Sequence, residues 1–111
     1  MAINTQIPKT QWQDFFVTFS NGNGGWAVTI EVFGAESGST GQTRQGKLLA
    51  VDYDPAGKGD TIVVTTGQNE VDYSHEIRSP VEIWRVQLDD GEIAAVEIID
   101  GSGQKTVVGL G

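Results

Sequence analysis

Residues 12–34 read WQDFFVTFSNGNGGWAVTIEVFG and hold two of the three tryptophans and all four phenylalanines of the chain. Within this stretch the apolar spacing changes once. Trp12, Phe15, Phe16 and Phe19 follow i, i+3, i+4, i+7, which sets four aromatic side chains on one face of an α-helix. Gln11, Gln13, Asp14 and Thr18 occupy the opposite, water-facing side. The spacing predicts a helix over about 9–20, with Pro8 suited to the first turn and Thr10 as an alternative cap. Residues 21–25 (NGNGG) tolerate positive φ and predict its end near Ser20. Beyond them Trp26, Val28, Ile30 and Val32 alternate with Ala27, Thr29, Glu31 and Phe33, the period of a strand with one buried face. A helix of about three turns is marginal alone in water, so its aromatic face is expected to pack on the adjoining sheet. The structural core is therefore expected to include Trp12, Phe15, Phe16, Phe19, Trp26, Val28 and Ile30.

The run Pro8-x-x-x-Trp12-x-x-Phe15-Phe16-x-x-Phe19-Ser20, followed by Gly25-Trp26-x-Val28-Thr29-x-Glu31-Val32-x-Gly34, resembles the opening of a small bacterial family, domain of unknown function number 5335. The resemblance extends through His75-x-Ile77-x-x-Pro80. It implies a shared fold and supplies no activity, cofactor or catalytic residue.

Working outward, residues 35–45 (AESGSTGQTRQ) are polar and aperiodic and predict a long loop. Residues 47–53 alternate again, with Leu49, Val51 and Tyr53 on one face. The β-branched run 61–66 (TIVVTT) is a clear strand. In residues 71–78, Val71, Tyr73, His75 and Ile77 share one face, and Asp72, Ser74, Glu76 and Arg78 the other. The phase shifts in residues 81–88, which predicts a β-bulge near Ile83–Trp84 or a strand buried on both faces. Residues 89–92 (DDGE) and 100–103 (DGSG) are turn signals leading into strands at 92–100 and 105–110. Short connections favour antiparallel neighbours. The expected fold is thus α+β, mainly β: one N-terminal helix packed on a twisted antiparallel sheet of about six strands, with curling into a half-open barrel allowed by 15 glycines.

A chain of 111 residues is expected to form a single domain, 1–111, with the sheet spanning 26–110. It has no cysteine, which excludes disulfides, thiolate metal sites and a cysteine nucleophile and suits a reducing cytoplasm. Residues 1–8 lack the basic and apolar regions of a signal peptide, and no apolar run reaches the length of about 20 residues needed to span a bilayer. The net charge of −8 opposes direct binding to nucleic acid or an anionic membrane; acidity of this size serves solubility.

Candidate chemistry is sparse. His75 is the only histidine; with Tyr73 beside it, its orienting carboxylate could come from Asp72, Glu76 or Asp52. The candidate ligand-binding group is His75, Tyr73 and Asp72, against the plainer reading of a half-buried, hydrogen-bonded ring. Asp52, Asp54 and Asp60 lie in a segment with some calcium-loop character, yet Ala56 and Val63 replace two of the needed ligands, and a hairpin loop is the preferred reading. Neither a metal nor a cofactor is expected. Glu31, Glu82 and Glu97 would make a catalytic pair only if two of them met across neighbouring strands; solvated strand faces carry glutamates routinely. The glycine-rich residues 21–25 follow a helix and precede a strand, the reverse of a phosphate cradle. The aromatic helix face is core in preference to a membrane or partner surface, because its polar side lacks a basic stripe.

No catalytic set emerges, so the chain is expected to be a non-enzymatic protein–protein interaction or assembly module, self-associating or binding an unknown protein. The alternatives are a small-molecule-binding or hydrolytic β domain with a pocket near His75, and an acidic nucleic-acid mimic.

Overall fold

The computed structural model describes residues 3–34, 40–68 and 70–110. A 3₁₀ turn, Lys9–Gln11, leads into helix α1, Trp12–Asn23. The described residues also form eight strands: β1 Ile3–Gln6, β2 Ala27–Phe33, β3 Thr40–Asp54, β4 Thr61–Gly67, β5 Val71–Arg78, β6 Pro80–Gln87, β7 Ile93–Asp100 and β8 Lys105–Leu110. All pair antiparallel in the order β1-β6-β7-β8-β2-β3-β4-β5. The expected helix-on-antiparallel-sheet architecture is present, with eight strands in place of about six, and the sheet is open, with β1 and β5 as its edges. Among the described residues no helix is long and apolar enough to cross a membrane.

The aromatic face of α1 is buried as its spacing predicts. Trp12, Phe16 and Phe19 are buried, and Phe15 packs beside them with its ring partly exposed. Trp12 meets Tyr53 of β3 edge-on, at 5.5 Å between ring centroids. Its indole N–H donates to the Ile7 carbonyl at 2.9 Å, while the Ile7 N–H donates to the Ile83 carbonyl of β6 at 2.8 Å. The residues before the helix thus tie α1 to the sheet. Neither the 3₁₀ turn nor α1 has a side-chain cap bond, so Thr10 is not a cap. The helix also ends at Asn23, three residues beyond the expected Ser20; the chain leaves it only where Gly24 turns extended and Gly25 takes φ 84°.

Ser20 has a different task. β3 pairs with β2 only up to Lys47, and from Leu48 onward it pairs with β4 on its other side. The Val51 N–H and carbonyl are left pointing away from β4, where β2 has already ended. The Ser20 hydroxyl accepts from Val51 N at 2.9 Å and donates to Val51 O at 3.2 Å. α1 therefore takes the place of the missing strand, satisfying backbone groups that would otherwise be buried and unpaired.

Inside the curl lie Val28, Ile30, Leu48, Val51, Ile62, Val64, Ile77, Ile83, Val96, Ile98 and Val108. Leu48, in place of the expected Leu49, faces the core because the ladder slips between Leu48 and Ala50. On β6 the irregularities fall at Pro80/Glu82 and Val86/Gln87, not at Ile83–Trp84. Two strand segments run against the sequence reading. β1 was not expected, and residues 40–45, read as loop, are the first part of β3, paired to β2 from Phe33↔Thr40 to Thr29↔Gln45. Both are polar segments held by backbone ladder bonds, which leave no trace in apolar spacing. Residues 35–39 of that expected loop lie outside the described residues. Trp26 is also not core: it is 50% exposed. Its carbonyl accepts from Leu48 N at 2.8 Å, but it precedes β2, and its indole opens onto a surface hollow shared with Gly22, Glu92 and Ile93.

The sheet turns back on itself at Ser79, the one residue between β5 and β6. Ser79 takes φ 54°; its N–H donates to Asp60 O and its carbonyl accepts from Gly101 N, both at 2.9 Å. The two turn signals behave as read. Gly91 and Gly103 take φ 88° and 89°, and the Asp100 carboxylate accepts from Ser102 N, Ser102 Oγ and Gln104 N.

Candidate functional site

Tyr73, His75 and Ile77 face the interior from β5, and Asp72, Ser74, Glu76 and Arg78 are exposed. His75 Nε2 lies 3.3 Å from the Thr106 hydroxyl of β8. In strand order β2, β3 and β4 separate β5 from β8, so this contact spans the curl. Burial holds the His75 imidazole below its ordinary pKa, because the imidazolium would lose hydration there. Asp72 is the extra residue where the β4–β5 ladder slips from Thr66↔Tyr73 to Gly67↔Val71, and its Oδ1 accepts from the buried Thr66 hydroxyl at 2.7 Å. The three residues expected to form a ligand group are therefore split: Tyr73 and His75 share the inner face, and Asp72 sits in the bulge, where its carboxylate ties β5 to Thr66 of β4. His75 and Tyr73 line none of the three cavities beside α1, Trp26 and β2.

The carboxylates disperse similarly. Glu31 and Glu97 both lie opposite Val107 of β8, so a whole strand separates them, roughly 10 Å at the backbone. Glu82 accepts from the Trp84 indole N–H at 3.2 Å. Asp52 and Asp54 point outward from β3 and are exposed, whereas Asp60 sits at φ 54° with a buried, unpaired Oδ1. Burial, with the Asp60 charge second, raises the Tyr53 phenol. Among the described residues no three histidine, aspartate or glutamate side chains converge as a metal site.

What the sheet does present is an edge. β5 pairs with β4 on one side, and no other strand of the described residues lies along its second side. Its eight residues leave a row of backbone donors and acceptors facing outward. Val71 at its start is 59% exposed. On the outer face the Arg78 guanidinium donates to Glu76 at 2.7 Å.

Arg85 is the residue that sequence reasoning missed. β6 places it beside Ile83 on the inner face, opposite Val96 of β7. It lines a cleft of about 460 Å³ with Ile7, Gln11, Asp14, Phe15 and Thr18. Its Nε is buried without a hydrogen-bond partner. The signal was present: strand alternation carries Arg85 onto the face that Ile83 buries.

The model of the family of unknown function DUF5335 matches residues 3–111. The chain belongs to that family. A relative from Aquifex aeolicus (strain VF5), described as an uncharacterized protein, is 31% identical over 102 residues, covering 92% of this chain and 86% of the relative. No solved structure matches the chain. Neither similarity carries an activity, so the function of this DUF5335 chain has to be argued from its own edges, faces and cavities.

Proposed function

We propose that this chain is a non-enzymatic assembly module that self-associates through the free edge of β5. The observation that carries the reading is the self-complementary charge pattern on that edge. Two antiparallel copies related by a two-fold axis must pair outward residues with outward residues. Centred on His75, the pairing brings Asp72, the bulge residue near the start of β5, toward Arg78 of the second copy at both ends of the strand, with Ser74 opposite Glu76 between them. Centred on Ser74 it would oppose Asp72 to Glu76, and centred on Glu76 it would oppose that residue to itself; like charges directly opposite are destabilising. Centred on Ile77 the overlap shrinks to the strand end. One register therefore combines full overlap with opposite charges. On the inner side it brings Tyr73 against Ile77 of the second copy.

Light scattering coupled to size exclusion tests this. Wild type is expected at the dimer mass at micromolar concentration, and Arg78→Asp, which opposes two aspartates at each end, shifts it toward monomer. A monomer mass for wild type throughout that range would remove the reading. Arg78 is exposed, so the substitution leaves the core intact.

A further inference from the structure

The cleft between α1 and β6 holds a combination that the rest of the molecule does not explain. Arginine is rarely buried unless paired, and a buried charged donor without an acceptor is costly. Arg85 is half-buried as a residue, yet it projects from the core face of β6 with its Nε buried and unsatisfied, and among the described residues no ion pair engages it. In a chain of net charge −8, with 15 acidic residues, an unpaired inward arginine stands out.

Its surroundings narrow what would complete it. Ile7 and Phe15 give the cleft apolar walls, Gln11 and Thr18 give neutral hydrogen-bonding groups, and Asp14 gives one negative charge. The volume of about 460 Å³ falls within the usual range for small-molecule sites, roughly 300–1,000 Å³. We infer that this cleft binds a small monocarboxylate with an apolar body, its carboxylate on Arg85 and its body against Ile7 and Phe15. The guanidinium fork matches a carboxylate in two parallel hydrogen bonds. A second negative charge on the ligand would face Asp14 and the net acidity of the chain, which selects against dicarboxylates and polyphosphates. The site is on β6 and α1, separate from the β5 edge, and stands whether or not the chain dimerises.

Isothermal titration calorimetry with 3-phenylpropionate tests the site, with phenethylamine and glutarate as the amine and dicarboxylate counterparts. The expected result is saturable binding of 3-phenylpropionate in the millimolar range or tighter, one per chain, with neither counterpart saturating. Arg85→Gln weakens binding at least tenfold, and Arg85→Lys, which keeps the charge and loses the fork, falls between. Asp14→Asn, on the exposed side of α1 and therefore expected to fold, tightens binding several-fold. If the arginine variants fail to fold, Asp14→Asn and the counterpart ligands still decide the matter. Absence of saturation at millimolar 3-phenylpropionate, equal binding by Arg85→Gln, or unchanged affinity in Asp14→Asn together with binding of phenethylamine would each overturn the assignment.

Discussion

At the residue scale the fold turns on Ser20. Its single hydroxyl meets both the N–H and the carbonyl of Val51. Ser20→Ala removes that partner and leaves two half-buried backbone groups for which water must substitute, a loss of about 1–3 kcal/mol, measurable by urea unfolding with m unchanged. His75 makes a second residue-scale prediction, in pH. Burial lowers its folded pKa beneath the unfolded value of about 6.5. Above that value both states are neutral and the full stability is present. As pH falls from about 6.5 toward the lower folded pKa, the unfolded chain takes up the proton first and stability declines; below the folded pKa the loss levels off. His75→Gln is expected to flatten this segment of a stability-against-pH curve, and an unaltered slope would show that His75 does not produce it.

At the scale of elements, the parts legible in the sequence were those with one buried face. The i, i+3, i+4, i+7 aromatics of α1 and the alternation of β2 both mark a face turned from water, and Trp12, Phe16, Phe19, Val28 and Ile30 are buried accordingly. The parts that were illegible are held by backbone. β1 and the first part of β3 are polar, and their ladders to β6 and β2 impose no apolar spacing. Trp26 kept the right parity for the core and still opens outward, because burial along this strand begins only at Val28, two residues after it. Arg85 was readable only as a charged residue in an inward phase, and its cleft required the position of α1. The β4–β5 hairpin rests on Gly67, where φ is 146° and a Cβ would stand 1.9 Å from the Glu70 carbonyl oxygen. Gly67→Ala cannot keep that turn and should cost about 1–3 kcal/mol from backbone strain alone, with clash added. Thermal unfolding measures it, and a melting temperature equal to wild type would show that the hairpin tolerates another path.

At the scale of the whole molecule, strand order decides what the surface can do. From the sequence β5 is one more alternating strand; only the pairing order makes it an edge, a long-range property that local spacing does not carry. The curl seen in the His75–Thr106 contact and the Ser79 corner brings β5 round to begin β6 without laying a strand of the described residues along its outer side. Repulsion between two chains of net charge −8 is screened within roughly 8 Å at physiological salt, which leaves the contacts along the edge to decide association. Charge reversal in both directions measures those contacts most directly. Asp72→Arg and Arg78→Asp each oppose like charges in the His75-centred register, and the double variant Asp72→Arg/Arg78→Asp restores opposite charges with the two ends exchanged. The account predicts monomer-shifted masses by light scattering for both single variants and recovery of the dimer in the double variant; a double variant that remains monomeric, or single variants that stay dimeric, would contradict pairing through β5.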